Sequence, residues 1–308
     1  MKFTMLPTVW DETVAELEAA GHEFVEDLAQ ARGLVFNAGP EKLPDPVPEN
    51  IEVIQLPFAG VEPFNDAGLL AADGPRWANG AGLYADTVAE SALSLLLAQL
   101  HLLKTAVTSA SFDSADTIDA HKQWLFEDKT VAVIGAGGIG VRLLELLAPH
   151  RVSTIAVNRS GRPVTGADRT VAIDDAAMDE VWATADYFVL IMPLTDQTRH
   201  MVNAEVLGKM KSTAVVVNVG RGPLIHTDDL LAALRDGTIA GAALDVTDPE
   251  PLPDDHPLWG LDNCLITPHV ANTPSMVRAL TGQQAVRNFD AFEAGETMPA
   301  EVDGKAGY

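Results

Sequence analysis

Thr130-Val-Ala-Val-Ile-Gly135-Ala-Gly137-Gly138-Ile139-Gly140 is the stretch whose reading decides the fold. Residues 131–134 are a short apolar run rich in β-branched side chains, as a buried parallel strand requires, and they pass directly into Gly135-x-Gly137-x-x-Gly140. Residues 141–147, Val-Arg-Leu-Leu-Glu-Leu-Leu, then continue as an apolar helix. The glycines therefore fall at a strand-to-helix turn. There Gly135 permits the tight turn, Gly137 lets backbone amides approach a pyrophosphate, and Gly140 lets the helix pack on the strand. The helix N-terminus adds partial positive charge. Glycine-rich turns are common, so the bare pattern says little. With this strand before it and this helix after it, the pattern predicts a dinucleotide site that includes Gly138 and Ile139.

Further along, apolar strands at 154–157, 187–192, 214–218, 240–245 and 264–267 alternate with helical segments, the spacing of a doubly wound parallel sheet. Such sheets bind ligands outside the carboxyl ends of their strands. The residues just after each strand are Asn158-Arg159-Ser160, Pro193-Leu194-Thr195, Val219-Gly220-Arg221-Gly222, Asp245-Val246 and Pro268-His269. Four of these five turns carry an ionisable side chain, and the fifth a Thr, where a scaffold needs only a turn.

Upstream, the first 85 residues read as small β and α pieces: strands at 3–6, 23–26, 33–37 and 51–56, and a helix at 12–20. A Pro-rich surface loop covers 39–48. Leu56-Pro57-Phe58-Ala59-Gly60-Val61 follows a strand with a small-residue turn, which either bares backbone N–H groups to a ligand or merely closes a loop. Thr87 and Glu90 have the spacing of a capping box and open a helix running to Leu103. That helix is apolar nearly all round but is interrupted by Glu90, Gln99, His101 and Lys104, which argues for burial between domains or subunits rather than a membrane span and points to a homodimer. A helix over 273–295 returns to complete a discontinuous first domain. The expected architecture is α/β, two Rossmann-like or flavodoxin-like domains with doubly wound parallel sheets. Residues 1–97 with 275–308 form a substrate domain, and 98–274 form the dinucleotide-binding domain.

Composition sets the outer bounds. A chain of 308 residues with 47% apolar content can build two cores. Its 44 acidic against 20 basic residues, a net charge of −24, oppose binding to nucleic acid or an anionic membrane. The first residues are too short an apolar run for a signal peptide, and the single Cys264, set beside Leu265 and Ile266, reads as a buried strand thiol; both suit a cytoplasmic protein. No metal-ligand set is assigned. In so acidic a chain, clustered arginines near a ligand-binding edge carry more weight than they would elsewhere.

Arg221 sits between small residues directly after a strand, where its planar fork is exposed to a carboxylate that it matches bidentately. Glu250 and His269 follow later strands, and a carboxylate beside an imidazole fixes its tautomer and stabilises the protonated form, as a general acid near neutral pH needs. Taken singly, each has an ordinary alternative: a solvated surface Arg, loop acidity near Asp248, Asp254 and Asp255, and a structural His at a strand end.

Together these residues resemble the D-isomer-specific 2-hydroxyacid dehydrogenases. The match runs through Gly60, residues 87–90, 133–140, Pro193-Leu194-Thr195, 218–224, 241–246, Glu250-Pro251-Leu252-Pro253 and Thr267-Pro268-His269, covering most of 55–290 in the expected order. The resemblance implies that Arg221 grips the substrate carboxylate and C2 carbonyl, that His269 is the acid/base and that Glu250 orients it. It also implies that the Ala59 and Gly60 amides hold the carboxylate and that Asp245 touches the nicotinamide carboxamide. Reduction of a 2-oxo acid needs a hydride, a proton and a carboxylate anchor, and this set answers all three demands.

Two departures concern the substrate pocket: Thr247 stands where many members have an aromatic residue, and the loops of the first domain look shortened. A third concerns the cofactor. Eighteen residues beyond Gly140, where dinucleotide sites usually carry an acidic residue for the ribose, stands Asn158-Arg159-Ser160-Gly161-Arg162. Asn158 cannot repel a 2′-phosphate, and Arg159, Ser160 and Arg162 can approach one, so NADP is expected over NAD. The expected activity is therefore NADPH-dependent reduction of a small 2-oxo acid, close in kind to glyoxylate or hydroxypyruvate reductases. Phosphoglycerate dehydrogenases share these motifs but need basic residues near a substrate phosphate, and the first 85 residues offer only Lys2, Arg32, Lys42 and Arg76. Formate dehydrogenases resemble one another in having Gln at the position of Glu250. A non-catalytic, dinucleotide-sensing protein of corepressor type is the alternative from another class, since fold does not set function.

Overall fold

A computed structural model describes residues 1–70, 74–174 and 176–302. The chain divides into two units, Met1–Tyr84 with Asn272–Tyr308, and Ala85–Ala271.

The first unit is built on β1 (Lys2–Leu6), β2 (Glu23–Phe24), β3 (Gly33–Phe36), β4 (Val53–Gln55) and β5 (Arg76–Ala78), with helices α1 (Asp11–Ala19) and α2 (Glu62–Asp66). All pairings are parallel, in the order β2-β1-β3-β4-β5. This is the flavodoxin-like doubly wound order. Three residues of β5 at the sheet edge escape a reading based on apolar periodicity, and β2 pairs over only two residues.

The second unit begins with α3 (Ala85–Leu100), α4 (Leu103–Ser109) and α5 (Ala115–His121). It continues through β6 (Thr130–Ile134), α6 (Gly138–Leu147), β7 (Ser153–Asn158), β8 (Arg169–Ala172), α7 (Ala177–Thr184) and β9 (Tyr187–Leu190). It closes with α8 (Ala204–Lys209), β10 (Val215–Asn218), α9 (Thr227–Arg235), β11 (Gly241–Leu244) and β12 (Cys264–Ile266). Its seven parallel strands run β12-β11-β10-β9-β6-β7-β8, so counted from β6 the order is that of a Rossmann sheet with a seventh strand added. Tyr187–Leu190, Val215–Asn218 and Gly241–Leu244 are buried throughout, because helices cover both faces of a parallel sheet. One face packs Ile134, Phe188, Leu190, Val216, Leu230 and Leu234 into a continuous core. The edge strand β8 was not expected: it starts at Arg169 and is half polar.

Helix α3 differs from expectation in three respects. It starts at Ala85, so Thr87 lies inside its first turn and does not cap it. It stops at Leu100, and Leu102 in the left-handed region (φ 53°) breaks the chain direction before α4, with a 62° bend between the two helices. Its apolar circumference is satisfied inside its own unit, where Val88, Ala89, Ala92, Leu95, Leu96 and Leu100 are buried and the helix packs on α6, β10 and β11. This packing also moves the domain border: α3 belongs to the dinucleotide-binding unit, so the boundaries fall at 84/85 and 271/272 rather than at 97/98 and 274/275. Large exposed apolar side chains lie instead just beyond it, at Leu103, Val107, Phe112, Trp124 and Phe126, with Phe112 97% exposed. Among the described residues, no single helix is long and apolar enough to cross a membrane.

The last helix, α10 (Pro274–Glu293), returns to the first unit. Thr273 caps it by accepting the Met276 N–H, and Pro274 occupies the start where its missing N–H costs nothing. It packs on α1, where Thr13 Oγ1 donates to the Arg278 carbonyl at 2.6 Å, and Ala285 and Phe289 enter one core with Phe3, Met5, Leu17, Val35 and Val53.

Candidate active site

The glycine turn lies where the strand order of the second unit reverses, since β6 has β7 on one side and β9 on the other. Gly135 adopts φ 101°, and a Cβ there would lie 2.6 Å from the Met192 nitrogen just past β9, so only glycine fits. The Gly135 and Ala136 amides donate to the Val157 carbonyl at 2.8 Å each, tying the turn to β7. The first helical bond of α6 is Val141 N–H to Gly137 O at 2.9 Å, which leaves the Gly138, Ile139 and Gly140 amides at the open helix start. Among the described residues, a Cβ at Gly137 or Gly138 would meet nothing within 4 Å. Free amides, a helix start and open space are what a pyrophosphate requires, and these residues fit a dinucleotide.

The turn after β7 is built by Asn158. Its Oδ1 accepts the Ser160 and Gly161 amides at 3.0 and 2.6 Å, and its Nδ2 donates to the Arg162 carbonyl at 2.8 Å. The side chain that stands at the ribose position in the sequence is thus largely committed to shaping the turn that displays Arg159 and Arg162. Arg162 Nε donates to Ser160 Oγ at 3.2 Å, and among the described residues neither arginine is paired with a carboxylate. Pro193 and Thr195 belong to a self-contained turn closed by Thr198, whose hydroxyl donates to the Pro193 carbonyl at 2.9 Å and accepts the Thr195 amide at 2.8 Å. Val219 is buried, with its amide on the Leu190 carbonyl.

After β10, Asn218 organises the Arg221 turn: Nδ2 donates to the Arg221 carbonyl at 2.9 Å and Oδ1 accepts the Gly220 amide at 3.1 Å. The Arg221 guanidinium donates to the Gly220 carbonyl at 2.7 Å, is exposed, and has no carboxylate partner among the described residues. After β11 and β12, Glu250 and His269 meet, with His269 Nδ1 2.6 Å from Glu250 Oε1. A carboxylate at Nδ1 holds the ring proton there and leaves Nε2 as the working nitrogen, a base when neutral and an acid when protonated.

Asp245 does more than its place in the sequence suggested. It is 2% exposed, Oδ1 accepts Thr267 Oγ1 at 2.6 Å and the Val270 amide at 2.9 Å, and Oδ2 accepts the Ala271 amide at 2.9 Å. These bonds close the turn that holds His269 at φ 52°, a left-handed conformation that a non-glycine residue keeps only when its surroundings impose it. Asp245 also borders a cavity of about 200 Å³ with Glu90, Ser94, Thr267 and Val270. Cys264 is buried and its thiol is pushed up to about 12 by that burial, so it is no nucleophile. In the first unit, the Ala59 carbonyl accepts from Asn79 Nδ2 at 2.8 Å, and neither the Ala59 nor the Gly60 amide has a partner among the described residues.

Residues 93–271 match the model of the D-isomer specific 2-hydroxyacid dehydrogenase NAD binding domain. The chain is 58% identical over 308 residues, the full length of both, to an uncharacterized protein in the proB 3′ region of Corynebacterium melassecola. It is 31% identical over 274 residues, 87% of this chain and 82% of the relative, to glyoxylate/hydroxypyruvate reductase B of Yersinia pestis bv. Antiqua. Among solved structures, a D-isomer specific 2-hydroxyacid dehydrogenase from Xanthobacter autotrophicus Py2, crystallised with NADPH and MES, matches with a TM-score of 0.77 and 26% identity over 100% of this chain and 99% of that one. The chain belongs to the D-isomer specific 2-hydroxyacid dehydrogenase family. It is an oxidoreductase acting on CH–OH groups, and its cofactor is a nicotinamide dinucleotide, NADP or NAD.

Proposed function

We propose that the protein reduces a small 2-oxo acid of the glyoxylate or hydroxypyruvate type to the D-2-hydroxy acid and prefers NADPH. The observation that carries the reading is the 2.6 Å Glu250–His269 pair, in the same unit as an exposed Arg221; among the described residues His269 Nε2 has no partner and Arg221 has no carboxylate partner. When bound, the nicotinamide supplies the hydride. Arg221 takes the substrate carboxylate and polarises the C2 carbonyl; His269 Nε2 delivers a proton to the developing alkoxide, and Glu250 stabilises the imidazolium before transfer. In the oxidative direction His269 Nε2 is the base. The amides of Ala59 and Gly60 are donors to the carboxylate, and Arg159, Ser160 and Arg162 receive the 2′-phosphate. The test is NADPH oxidation followed by absorbance against a panel of 2-oxo acids. Turnover with at least one of them is expected; tight cofactor binding with no turnover would place the protein among dinucleotide sensors instead.

The protein's expected assembly is a homodimer, with a second copy covering the apolar side chains of residues 103–126. In a chain of net charge −24 this segment is nearly neutral, with Lys104 and Lys122 against Asp113, Asp116 and Asp119, so repulsion between copies is weakest there, and Val107 and Phe112 are 77% and 97% exposed on it. Light scattering at micromolar concentration should give about twice the 32.7 kDa chain mass, and Val107→Asp with Phe112→Asp should return it to the single-chain value. A wild-type monomer under these conditions disposes of the assembly.

A further inference from the structure

Three successive carbonyls of the loop after β4 accept from one short segment, residues 79–84. The Pro57 carbonyl accepts from the Tyr84 hydroxyl, the Phe58 carbonyl from the Gly80 amide at 2.6 Å, and the Ala59 carbonyl from Asn79 Nδ2 at 2.8 Å. In a trans peptide the N–H points opposite to the C=O. The Phe58, Ala59 and Gly60 amides are therefore all turned the other way, and none of them has a partner among the described residues. Consecutive amides turned to one side make a concavity that binds anions.

The segment that imposes this orientation is itself fixed. Gly80 lies so close that a Cβ would fall 2.4 Å from the Pro57 oxygen. Asn79 is 5% exposed; its Oδ1 accepts the Ala81 amide at 3.0 Å, and its own backbone N–H donates to the Ala300 carbonyl at 3.0 Å. Behind it, Gln55 Nε2 donates to the Asn79 and Leu56 carbonyls at 3.0 and 2.7 Å, and Gln55 Oε1 accepts from Asn288 Nδ2 at 2.6 Å. Asn288 Oδ1 accepts the Ala300 amide at 3.2 Å, which anchors the chain of amides on α10. Burial pushes the Tyr84 hydroxyl up to about 12, so it remains a proton donor across the working range. Buried amides tolerate desolvation only when paired, and a paired network holds one geometry.

We propose that Asn79 is a positioning residue for the substrate carboxylate: its side-chain amide pins the Ala59 carbonyl and so presents the Gly60 N–H, across the same peptide bond, to the anion. Tyr84 acts in the same way on the Pro57–Phe58 peptide. The inference rests on the reading that the Ala59 and Gly60 amides receive the carboxylate. It also explains why an amide rather than a carboxylate stands at position 79. An Asp would retain the acceptor for the Ala81 amide but set an anionic oxygen against the Ala59 carbonyl, freeing that peptide to turn.

The test compares Asn79→Asp, Tyr84→Phe and wild type on one accepted 2-oxo acid and on its methyl ester, with KM, kcat and the melting temperature read for each. Asn79→Asp is expected to raise KM for the acid by roughly tenfold, the scale of one lost, well-placed hydrogen bond. Its kcat should fall less, its KM for NADPH should stay at the wild-type value, and the wild-type preference for acid over ester should shrink. Tyr84→Phe should move the same KM in the same direction by about two- to fivefold. A lowered melting temperature with the acid KM and the acid–ester preference at wild-type values would show a purely structural role and overturn the inference. If Asn79→Asp does not fold, an unchanged KM for the acid in Tyr84→Phe overturns it. If wild type takes acid and ester equally well, it is the carboxylate reading itself that fails.

Discussion

His269→Ala is expected to slow turnover by roughly 10²–10⁴-fold, the range that a positioned acid/base group contributes, while leaving cofactor binding nearly intact. The separation of effects follows from geometry. His269 is held after β12 by the Asp245 carboxylate, with its own amide on the Asp245 carbonyl at 2.8 Å, and reaches Glu250 at 2.6 Å; the amides that fit a pyrophosphate are those of Gly138, Ile139 and Gly140 after β6. Removing the imidazole would take away the proposed proton path and leave the glycine turn untouched. Glu250→Gln is expected to cost less, since an amide still meets Nδ1 but no longer stabilises an imidazolium. Arg221→Ala is expected to weaken substrate binding along with turnover. The measurements are kcat, KM for the 2-oxo acid and cofactor affinity by fluorescence quenching. Wild-type turnover in His269→Ala would refute the mechanism.

Arg159→Ala is expected to shift the proposed cofactor preference from NADPH toward NADH by roughly 10- to 100-fold, because a hydrogen bond to a charged group is worth about 1.5–3 kcal/mol. Asn158 spends its side chain on the turn, Ser160 Oγ accepts from Arg162 Nε, and Arg159 has no carboxylate partner among the described residues although the chain carries 44 acidic residues. An exposed arginine left unpaired in so acidic a protein is available to an external anion, and a guanidinium matches phosphate oxygens. The readout is kcat/KM for NADPH and NADH with one accepted 2-oxo acid, in wild type and variant. Equal efficiency with both cofactors in wild type, or a preference for NADH, removes the assignment.

The sequence by itself determined the parts of this protein that depend on local pattern. A strand buried on both faces must be a short apolar run, so β6, β9, β10 and β11 were legible, and so were the turns after them where Gly135, Arg221 and Asp245 stand. Short edge strands carry no such signal, which is why the sequence pattern does not reveal β5 and β8 and extends β2 to residue 26. Helix α3 was legible as a buried helix, but what buries it was not: its apolar surround is met by α6, β10 and β11 of its own unit, a fact no periodicity contains.

Tertiary structure alone decided the pairings that make the site. Glu250 and His269 are 19 residues apart on the loops after two different strands; the parallel register of β11 on β12, with Leu244 opposite Ile266, brings both loops to one sheet edge and the side chains to 2.6 Å. Likewise, only the folded chain shows that Asp245 spends its oxygens on the His269 turn and that Asn79 grips the Ala59 carbonyl. The physical reason is the same in both cases. Residue type and spacing specify which groups can donate, accept or ionise, whereas a hydrogen bond also needs direction and a few tenths of an ångström, and those are supplied by long-range packing of elements that the sequence separates.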